Sequence, residues 1–480
     1  MRWINCKHGK GDLGDMDVAA LSPVDWLALI QHELLLFASL FFILGTLDEL
    51  AIDGLYAIGR VRGRLRTASI SRGEVEGREL AGPVAVIVAA WREDDVIGAT
   101  MRHLLAAWPQ QGLRLYVGYY ANDPATIAAA SQAASGHARV RIVVHADHGP
   151  TTKADCMNRL YRAIEEDEQR EGISFRMVVI HDAEDMVDPA ALPLFDAGLA
   201  RAELMQLPVV PMPQRRSRWV AGHYLDEFAE SHAKAMVVRD WLGTGFPSAG
   251  VGCAIARGRL AKLDAQSTGQ GPFDAASLTE DYELGLKVAE AGAKTAFLRV
   301  RGDDGALVAT RAYFPHRLES AIRQKSRWVC GIALQGWDRM GWTGNLLDGW
   351  MRLRDRRGPL AALVLFTAYL LLLISGALIV LQQLGLARPV PLTPLTQTLL
   401  IANAFSLVWR AAWRCAFTAR EYGMAEGIRA ILRIPLSNII AIMAGRRAVS
   451  QYVASLHGGR VRWEKTDHHG HPSIGQRAVA

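Results

Sequence analysis

Hydrophobic residues along this chain fall into two patterns. Near the start and in the last third they form long uncharged runs, whereas between about residues 83 and 318 they form short runs separated by polar stretches. The first short run, PVAVIVAAW (83–91), is continuous and rich in valine, which is typical of a strand buried on both faces. The spacing of TMRHLLAAW (100–108), shortly after it, predicts a helix.

The alternation of strand and helix patterns continues along the middle of the chain. Further predicted strands are LRLYVGYYAND (113–123), VRIVVHAD (140–147) and FRMVVIHDAED (175–185), and the helices between them are PATIAAASQAA (124–134) and KADCMNRLYRAIEEDEQ (153–169). This order predicts an α/β domain of βαβ units, with a mostly parallel sheet, flanking helices and ligands at the carboxyl ends of the strands. No GxGxxG motif opens the first helix and no P-loop motif occurs, so neither common nucleotide fingerprint is present.

Three of the long apolar runs predict helices that cross a membrane. Residues 358–387 and 389–409 carry no charge, and residues 26–47 are apolar apart from a few polar positions near one end. A spanning helix needs about 20 apolar residues. The first run begins too late and follows too many acids for a signal peptide, and we expect an anchor with an amphipathic extension over 26–58. For this run alone, a helix buried in a soluble domain is the alternative.

Arginines flank these runs and predict their orientation. Arg60, Arg62, Arg64 and Arg66 follow the first run, and Arg352, Arg354, Arg356 and Arg357 precede the second. By the positive-inside rule, the large middle segment is expected in the cytoplasm and the 386–394 loop outside. A shorter apolar patch, 434–445, has arginine at both ends and predicts an interfacial or short membrane helix over 428–447.

The predicted organisation follows from these runs. Its parts are an N-terminal tail (1–25), the first membrane helix (26–58), a basic linker (59–82), a cytoplasmic catalytic domain (83–318), an interfacial helix (319–340), two membrane helices (358–387 and 389–409), the 428–447 helix and a cytoplasmic tail (448–480). The net charge of +6 is explained by arginines beside the membrane, and no basic run with interleaved aromatics predicts nucleic-acid binding. Five scattered cysteines without a CxxC motif predict neither disulfides nor a zinc site.

Acidic residues gather at the end of the fourth predicted strand. Asp182 and Glu184 are two positions apart, so an extended backbone presents both carboxylates on one side. A divalent cation relieves their repulsion, and hard carboxylate oxygens suit Mg²⁺ or Mn²⁺. The alternative is a solvated turn before a helix near Pro189.

Polar residues also follow the other three predicted strands. Glu93 follows the first, Asn122 and Asp123 the second, and Lys153 lies just past the third. Each is a common loop residue by itself. Together they could provide the acceptors, hydroxyl clamp and cation that a base, a ribose and a diphosphate require.

Two later helices carry further candidate residues. In SLTEDYELGLKVAEAGAKTAF (277–297), Ser277 and Glu280 have capping-box spacing, and Asp281 is either an ordinary first-turn acid or a general base at the sheet rim. The glycines of GTGFPSAGVGCA (243–254) suggest close approach to an acceptor.

The segment ESAIRQKSRWVCGIALQGW (319–337) predicts an amphipathic helix before the membrane runs. One face carries Leu318, Ile322, Val329 and Ala333, and the roughly opposite face carries Gln324, Arg327 and Trp328. The apolar face would meet lipid, while the arginine and the indole suit a diphosphate and a sugar ring. The alternative is a basic interfacial helix without chemistry.

These motifs, in this order, resemble those of membrane-embedded family 2 glycosyltransferases. The chain has Trp91-Arg92-Glu93-Asp94, Asp123, Lys153, Asp182-Ala183-Glu184, Thr279-Glu280-Asp281 and Gln324-Lys325-Ser326-Arg327-Trp328, where cellulose, chitin and hyaluronan synthases have DxD, TED and QxxRW motifs. ANDPAT, GPTTKAD, HDAED and RWEKTDH resemble the NfrB-type subgroup of inner-membrane transferases, known as phage-adsorption proteins.

The resemblance implies a GT-A fold and inverting transfer from a nucleotide sugar, usually a UDP-sugar, by a hexosyl- or N-acetylhexosaminyltransferase. It implies that Glu93, Asp123, Lys153 and Asp182 bind the nucleotide sugar, and that Asp182 with Glu184, or Asp185 in its place, binds Mg²⁺ or Mn²⁺. Asp281 would be the base, and Gln324, Arg327 and Trp328 would hold the diphosphate and the acceptor. The WEKT segment (463–466) resembles a gating segment over the nucleotide.

The expected role is extension of an exopolysaccharide at the bacterial inner membrane by a multi-pass protein whose catalytic domain faces the cytoplasm. The expected partners are a nucleotide-sugar donor, a glycan or lipid-linked acceptor and membrane lipids, with a homo-oligomer or an export partner left open. The alternatives are transfer of a single sugar to a lipid carrier, and a non-catalytic membrane scaffold or phage-receptor component.

Overall fold

The computed structural model describes residues 22–149, 151–215, 217–267, 269–342, 345–388, 391–458 and 470–476. The helices are α1 (Pro23–Val61), α2 (Arg72–Val75), α3 (Ile97–Ala107), α4 (Pro124–Ala134), α5 (Lys153–Glu171), α6 (Ala191–Gly198), α7 (Gly222–Glu230), α8 (Met236–Trp241), α9 (Arg257–Gln266), α10 (Glu280–Glu290), α11 (Leu318–Val329), α12 (Gly336–Met340), α13 (Leu346–Arg356), α14 (Gly358–Gln383), α15 (Pro394–Tyr422), α16 (Met424–Leu432), α17 (Ile434–Leu456) and α18 (Pro472–Gln476). The strands are β1 (Ala68–Ile70), β2 (Val84–Ala89), β3 (Leu113–Tyr120), β4 (Val140–His145), β5 (Met177–Asp182), β6 (Leu204–Gln206), β7 (Val209–Pro211), β8 (Cys253–Ala256), β9 (Thr295–Phe297), β10 (Val300–Gly302) and β11 (Thr310–Ala312). The WEKT segment at 463–466 and most of the predicted N-terminal tail lie outside the described residues.

The central sheet has seven strands in the order β4-β3-β2-β5-β8-β6-β9. The four strands that the hydrophobic runs predict are all parallel neighbours, whereas β8 runs antiparallel to both β5 and β6. The register pairs Ala89 with both Gly118 and Asp182, so β2, β3 and β5 end at a common edge. Polar residues that follow these strands are thereby brought together. The mostly parallel α/β fold is confirmed.

Strand β2 is buried on both faces, as its valine-rich run predicts. Val84, Val86 and Val88 belong to the apolar core on one side of the sheet, together with residues of α3 and α4. Ala85 and Ile87 belong to the core on the other side, together with residues of α5. A strand covered by helices on both faces has no polar-facing positions, which explains the unbroken apolar run.

Two further strand pairs stand outside the central sheet. β1 pairs with β10 and β7 with β11, each in parallel. Two π-helical turns, Ser231–Ala235 and Cys330–Gln335, join α7 to α8 and α11 to α12. The helix predicted over 319–337 is therefore divided into α11, a π-helical turn and α12.

Within the described residues, α1 and α14 are long and apolar enough to cross a membrane. Helices α16 and α17, bent by 54° at their junction, would form a third span if they act as one. The predicted interfacial helix at 428–447 falls on this bent pair. The run predicted at 389–409 lies mostly in α15, which is not among these helices, so that span stays a prediction.

The chain divides into two compact units. Met1–Gly45 with Val364–Phe405 form the first, and Thr46–Leu363 with Ser406–Ala480 form the second. The second unit contains the whole central sheet.

Polar contacts join helices within each unit. In the first, the Gln31 amide donates to the Ser375 hydroxyl at 2.7 Å. In the second, the Trp350 indole N–H donates to Asp48 at 2.7 Å. The last turns of α1 in the second unit are thus tied to α13.

Candidate functional site

The carboxyl ends of β2 and β5 open into a cavity of about 620 Å³ within the second unit. Eight of the nine predicted site residues line this cavity: Glu93, Lys153, Asp182, Glu184, Asp281, Gln324, Arg327 and Trp328. They come from five separate stretches of chain. The ninth predicted residue, Asp123, does not line the cavity.

Lys153 lies at the centre of the acidic side of the cavity. It is the first residue of α5, and its ammonium group contacts Asp182 Oδ1 and lies 4.0 Å from Glu280 Oε1. Burial alone would lower the pKa of Lys153, but the charges of Asp182, Glu280 and Asp281 raise it above its usual value. Lys153 is therefore a cation shared by three acids from two different elements.

The three acids at the end of β5, Asp182, Glu184 and Asp185, differ in their burial. The side chain of Asp185 is buried, and its Oδ2 contacts His181 Nδ1 at 2.9 Å and accepts the Asp182 backbone N–H at 3.0 Å. Burial raises the pKa of Asp185, against the opposing effect of His181. Asp182 and Glu184 are only half-buried at the cavity wall. The greater exposure of Glu184 favours it over Asp185 as the second metal ligand beside Asp182.

The acids of the Thr279-Glu280-Asp281 motif begin α10. Burial raises the pKa of Glu280 to about 7, with a further contribution from the neighbouring charge of Asp281. Burial also raises the pKa of Asp281, while Lys153 and Arg327 oppose this shift. Two adjacent carboxyls in a buried, cation-flanked setting are typical of sites for proton transfer.

The start of α10 differs from the sequence prediction. The helix begins at Glu280, with Thr279 as N-cap and no side-chain cap bond, so the predicted Ser277–Glu280 capping box does not form. The Ser277 hydroxyl instead donates to Glu283 Oε1 at 2.7 Å. Glu283 replaces Glu280 because the helix starts later than its sequence pattern suggests. This leaves the Glu280 side chain at the cavity.

Gly250, in the glycine-rich 243–254 loop, lies directly beside Asp281. It has a φ of +72°, and a Cβ built on it would lie 2.6 Å from Asp281 Oδ2. The loop therefore needs glycine here both for the left-handed backbone and for the space that the carboxylate occupies. The glycines of this loop were expected to allow close approach of an acceptor. At Gly250, the group that approaches the backbone closely is the Asp281 carboxylate.

Helix α11 presents Gln324, Arg327 and Trp328 to the cavity, as its periodicity predicts. Gln324 Oε1 and Arg327 Nε are buried, and neither forms a hydrogen bond within the described part of the chain. Buried polar atoms normally have partners, and exceptions are frequent at functional sites. These two atoms point to a polar ligand at the α11 side of the cavity.

The opposite face of α11 is covered by protein at three of the four positions that were expected to meet lipid. Ile322 packs with Ala321 against Ile440 of α17, and Val329 belongs to a cluster with Ala448 of the same helix. Ala333 is buried, and only Leu318 is exposed. The amphipathic pattern of α11 therefore reflects packing on α17, and the interfacial position of the helix stays a prediction.

Three aromatic side chains form one part of the cavity wall, the aromatic wall: Phe228, Phe314 and Trp328. Phe228 and Phe314 have ring centroids 5.0 Å apart, and Trp328 lies 6.4 Å from Phe228. Lys325 of α11 lies 4.9 Å from the Trp328 ring centre and forms an ion pair with Glu227, which lines the cavity. Nothing in the sequence pattern indicates this pair, because Glu227 and Lys325 are distant in the chain.

Asp123 lies beside the cavity rather than in its wall. Its Oδ2 accepts the Arg92 backbone N–H at 2.5 Å, and its Oδ1 accepts the Thr126 backbone N–H at 3.4 Å as the N-cap of α4. Arg92 has a φ of 54°, which is uncommon outside glycine. Asp123 thus holds the turn that presents Glu93, and the structure does not bring it to the cavity as expected.

The Gln324–Trp328 helix and the Thr279–Asp281 motif touch at one glycine. A Cβ built on Gly331, in the π-helical turn after α11, would lie 2.5 Å from Thr279 Oγ1. Only a residue without a side chain allows this approach. The two motifs are therefore held together by direct packing.

A second group of candidate metal ligands lies at the end of β4. One ligand atom each from His145, Asp147 and Asp155 lies within 4.8 Å of the others. The Asp147 backbone N–H donates to His145 Nδ1 at 3.2 Å, so the ring proton is on Nε2, which faces Asp155 at 3.3 Å. The lone pair on His145 Nδ1 thus already accepts a hydrogen bond, so it is not free for a metal ion.

Comparison with protein families identifies the class to which this fold and cavity belong. Residues 81–331 match the model described as "Glycosyltransferase like family 2". The match covers more than half of the chain. The chain therefore belongs to glycosyltransferase family 2, and the expected family is confirmed.

The chain also resembles characterised relatives. It is 33% identical over 470 residues to "Bacteriophage adsorption protein B" of Escherichia coli (strain K12), covering 92% of this chain and 62% of that protein. The same values hold for "Bacteriophage N4 adsorption protein B" of Escherichia coli O157:H7. The chain thus spans less than two thirds of these relatives. A solved mannosyltransferase, PcManGT from Pyrobaculum calidifontis in complex with GDP-Man and Mn²⁺, aligns with a TM-score of 0.46 and 15% identity over 82% of this chain and 99% of that chain.

Proposed function

We propose that this protein is an inverting, metal-dependent glycosyltransferase of the bacterial inner membrane that moves a sugar from a UDP-sugar to a growing glycan. The observation that carries the proposal is the cavity in which Lys153, Asp182 and Asp281 face Arg327 and Trp328. Acids, cations and an aromatic ring are thereby combined in one space of about 620 Å³. This volume is in the range of small-molecule sites.

The donor end is assigned to the acids after β5. Asp182 and Glu184 are half-buried carboxylates at the cavity wall, and the contact of Asp182 with the Lys153 ammonium supports its ability to hold a cation. Their hard oxygen ligands fit Mg²⁺ or Mn²⁺. When bound, such an ion supplies charge neutralisation for the departing diphosphate.

The diphosphate is assigned to α11. The unpaired Arg327 Nε and Gln324 Oε1 are buried at the cavity. The guanidinium can donate to phosphate oxygens, and the Gln324 oxygen can accept from a sugar or phosphate hydroxyl. Glu93 and Asp123 would support the nucleoside, Glu93 from the cavity wall and Asp123 through the turn that it holds.

Asp281 is assigned as the general base. Its carboxylate takes the proton of the acceptor hydroxyl as that oxygen forms a bond to the anomeric carbon. The bond from this carbon to the diphosphate oxygen breaks, and the nucleoside diphosphate leaves with the electron pair. Attack opposite the leaving group inverts the anomeric centre. Lys153 and Arg327 favour the ionised form of Asp281 that this step requires.

The acceptor is assigned to the aromatic wall. Trp328, Phe228 and Phe314 offer flat apolar faces on which a pyranose can stack. A glycan end or a lipid-linked sugar fits this chemistry equally. The catalytic unit would face the cytoplasm, where nucleotide sugars are made, and the product would leave through the membrane by way of a homo-oligomer or an export partner.

The test is nucleotide release by the full chain in lipid nanodiscs with Mn²⁺ or Mg²⁺ and a panel of UDP- and GDP-sugars. The matched control is Asp281→Asn, which keeps the size of the side chain and removes the base. Release with one donor, lost in the control, is the expected result. A ladder of product masses supports glycan extension, whereas one fixed mass supports transfer to a lipid carrier.

The alternative is a non-catalytic scaffold or receptor component, because both relatives are named as phage-adsorption proteins. A scaffold or receptor component would bind nucleotide at most, without turnover of any donor. Full turnover by Asp281→Asn would overturn the assignment of the base. Binding without turnover across the whole panel would overturn the proposed transferase activity.

A further inference from the structure

In the segment that follows β5, every second backbone carbonyl from residue 183 to residue 187 contacts a side chain from elsewhere in the fold. The Thr100 hydroxyl contacts the Ala183 carbonyl, and His103 Nε2 lies 2.9 Å from the Val187 carbonyl. Both residues belong to α3. Between them, His471 Nε2 lies 3.0 Å from the Asp185 carbonyl. Two contacts therefore come from a neighbouring helix, and the third comes from a residue 286 positions further along the chain.

The His471 ring is built into this position. It is 1% exposed, and its centroid lies 5.8 Å from that of His103. The Ser473 backbone N–H donates to His471 Nδ1 at 3.2 Å. A neutral imidazole that accepts at Nδ1 carries its proton on Nε2, so His471 donates to the Asp185 carbonyl. Burial lowers the pKa of His471 and so favours the neutral ring.

The carbonyl to which His471 donates belongs to Asp185, in the acidic segment at the end of β5 (182–185). Glu184 directly precedes Asp185, and the Asp185 carboxylate accepts the Asp182 backbone N–H at 3.0 Å. The rotation of the 184–186 backbone therefore sets where the Glu184 carboxylate lies relative to Asp182. A buried carbonyl without a donor is unfavourable, so loss of His471 would let this backbone turn to find another partner.

We propose that His471 is a positioning residue for the metal site, and that docking of residues 470–474 on the acidic segment is required for tight Mg²⁺ or Mn²⁺ binding. This rests on the proposed function in one respect, because it takes Asp182 and Glu184 as the metal ligands. His471 itself touches neither substrate nor metal. It acts through the Asp185 backbone, as outer partners of metal ligands commonly do.

The test compares three variants of the full chain in nanodiscs. His471→Ala removes the donor. His471→Gln places an amide N–H near the position of Nε2 and should restore the donor, whereas His471→Asn places its amide near Nδ1 and should not. Ile474→Ala, at an exposed position of the same segment, is the matched control.

Two readouts are independent of turnover. The first is Mn²⁺ affinity in the presence of UDP, measured by electron paramagnetic resonance. The second is amide hydrogen exchange of a peptide that covers residues 182–187. We expect His471→Ala and His471→Asn to weaken Mn²⁺ binding about tenfold and to speed exchange in this peptide, with His471→Gln close to wild type.

Unchanged Mn²⁺ affinity and exchange in His471→Ala would overturn the proposal. Equal loss in His471→Gln and His471→Ala would also overturn it, because the effect would then follow ring packing rather than the donated hydrogen bond. Failure of the wild-type protein to bind Mn²⁺ with UDP would overturn both the metal requirement and the proposed effect of His471 on it. Metal binding by the wild type with no response to His471→Ala would overturn the role of His471 alone.

Discussion

The Lys153 ammonium group lies against the Asp182 carboxylate, which joins the start of α5 to the end of β5. Glu280, at the start of α10, lies 4.0 Å from the same ammonium. Two consecutive elements, α5 and β5, and the distant α10 thus meet at one cation. The positive charge of Lys153 offsets the repulsion among Asp182, Glu280 and Asp281, so that these acids can share one side of a cavity.

Replacement of Lys153 should destabilise the protein in a way that a divalent cation reverses. In Lys153→Met, the three acids lose their shared cation, and we expect a loss of about 3 kcal/mol in unfolding free energy. On the proposed assignment, Mn²⁺ would bind the same carboxylates and should recover much of this loss. Thermal unfolding in nanodiscs, with and without Mn²⁺, measures both effects. Lys262→Met, at an exposed position of α9, is the control. An equal fall in both variants, or no recovery with Mn²⁺, would contradict the prediction.

The pH dependence of transfer should show an acid limb set by the Glu280–Asp281 pair. Burial raises the pKa of Asp281 and that of Glu280, the latter to about 7. Because the base must be ionised, activity should fall as the pH falls through these raised values. In Glu280→Gln the neighbouring negative charge is gone, so the limb should move to lower pH. A kcat/KM profile from pH 5 to 9 tests this, and an unmoved limb would exclude coupling between the two carboxyls.

Asp123→Ala should weaken donor binding although the Asp123 side chain does not line the cavity. The change removes the acceptor of the Arg92 N–H and the cap of α4, so the turn that carries Glu93 loses its support. Loss of an N-cap alone costs about 1 kcal/mol. Asp123→Asn retains only one of the two acceptor oxygens. With this oxygen toward the Arg92 N–H, the turn keeps its support and the donor KM should stay near wild type. If the carboxylate itself bound the nucleotide base, as the family resemblance implies, the Asn variant would be impaired as strongly as the Ala variant.

The second unit should lose stability in mild acid because of His232. Its Nδ1 accepts the Val209 N–H at 2.9 Å, and burial, with the charge of Arg299, lowers its pKa from 6.5 to about 4. The unfolded chain takes up a proton near pH 6.5 but the folded chain does not, so this stability is complete above pH 6.5 and declines toward pH 4. The expected loss between pH 7 and 5 is about 2 kcal/mol. Denaturant unfolding at both pH values measures it.

The control for this prediction is a histidine in solvent. His137 is exposed, so His137→Asn should leave the pH dependence of unfolding unchanged. His232→Asn should reduce that dependence, whatever it does to stability at neutral pH. An identical slope in His232→Asn and the wild type would show that other groups cause the acid sensitivity.

The long strands and most of the site could be predicted from the sequence because their causes are local. A strand buried on both faces must be apolar throughout, and the polar residue that follows it must lie at the sheet edge. The runs that became β2, β3, β4 and β5 show this directly. The spacing of Gln324, Arg327 and Trp328 on one helix face is local as well, and it correctly directs all three into the cavity.

The features that were missed depend on distant contacts. Strands β6 and β9 have three residues each and β8 has four, too few for a periodic pattern. The buried stripe of α11 has the same pattern whether lipid or α17 covers it. The hydrogen bond from His471 to the Asp185 carbonyl joins residues 286 positions apart, and no local pattern encodes it.

The packing of α11 has a mechanical consequence. One side of the helix rests on α17 through Ile440, and the π-helical turn that follows α11 rests on Thr279 through Gly331. A tilt of α17 would therefore move Trp328 and the motif that carries Asp281 together. In the proposed reaction, the distance between a sugar stacked on Trp328 and the Asp281 carboxylate that takes its proton would then change little, because both groups move as one rigid part.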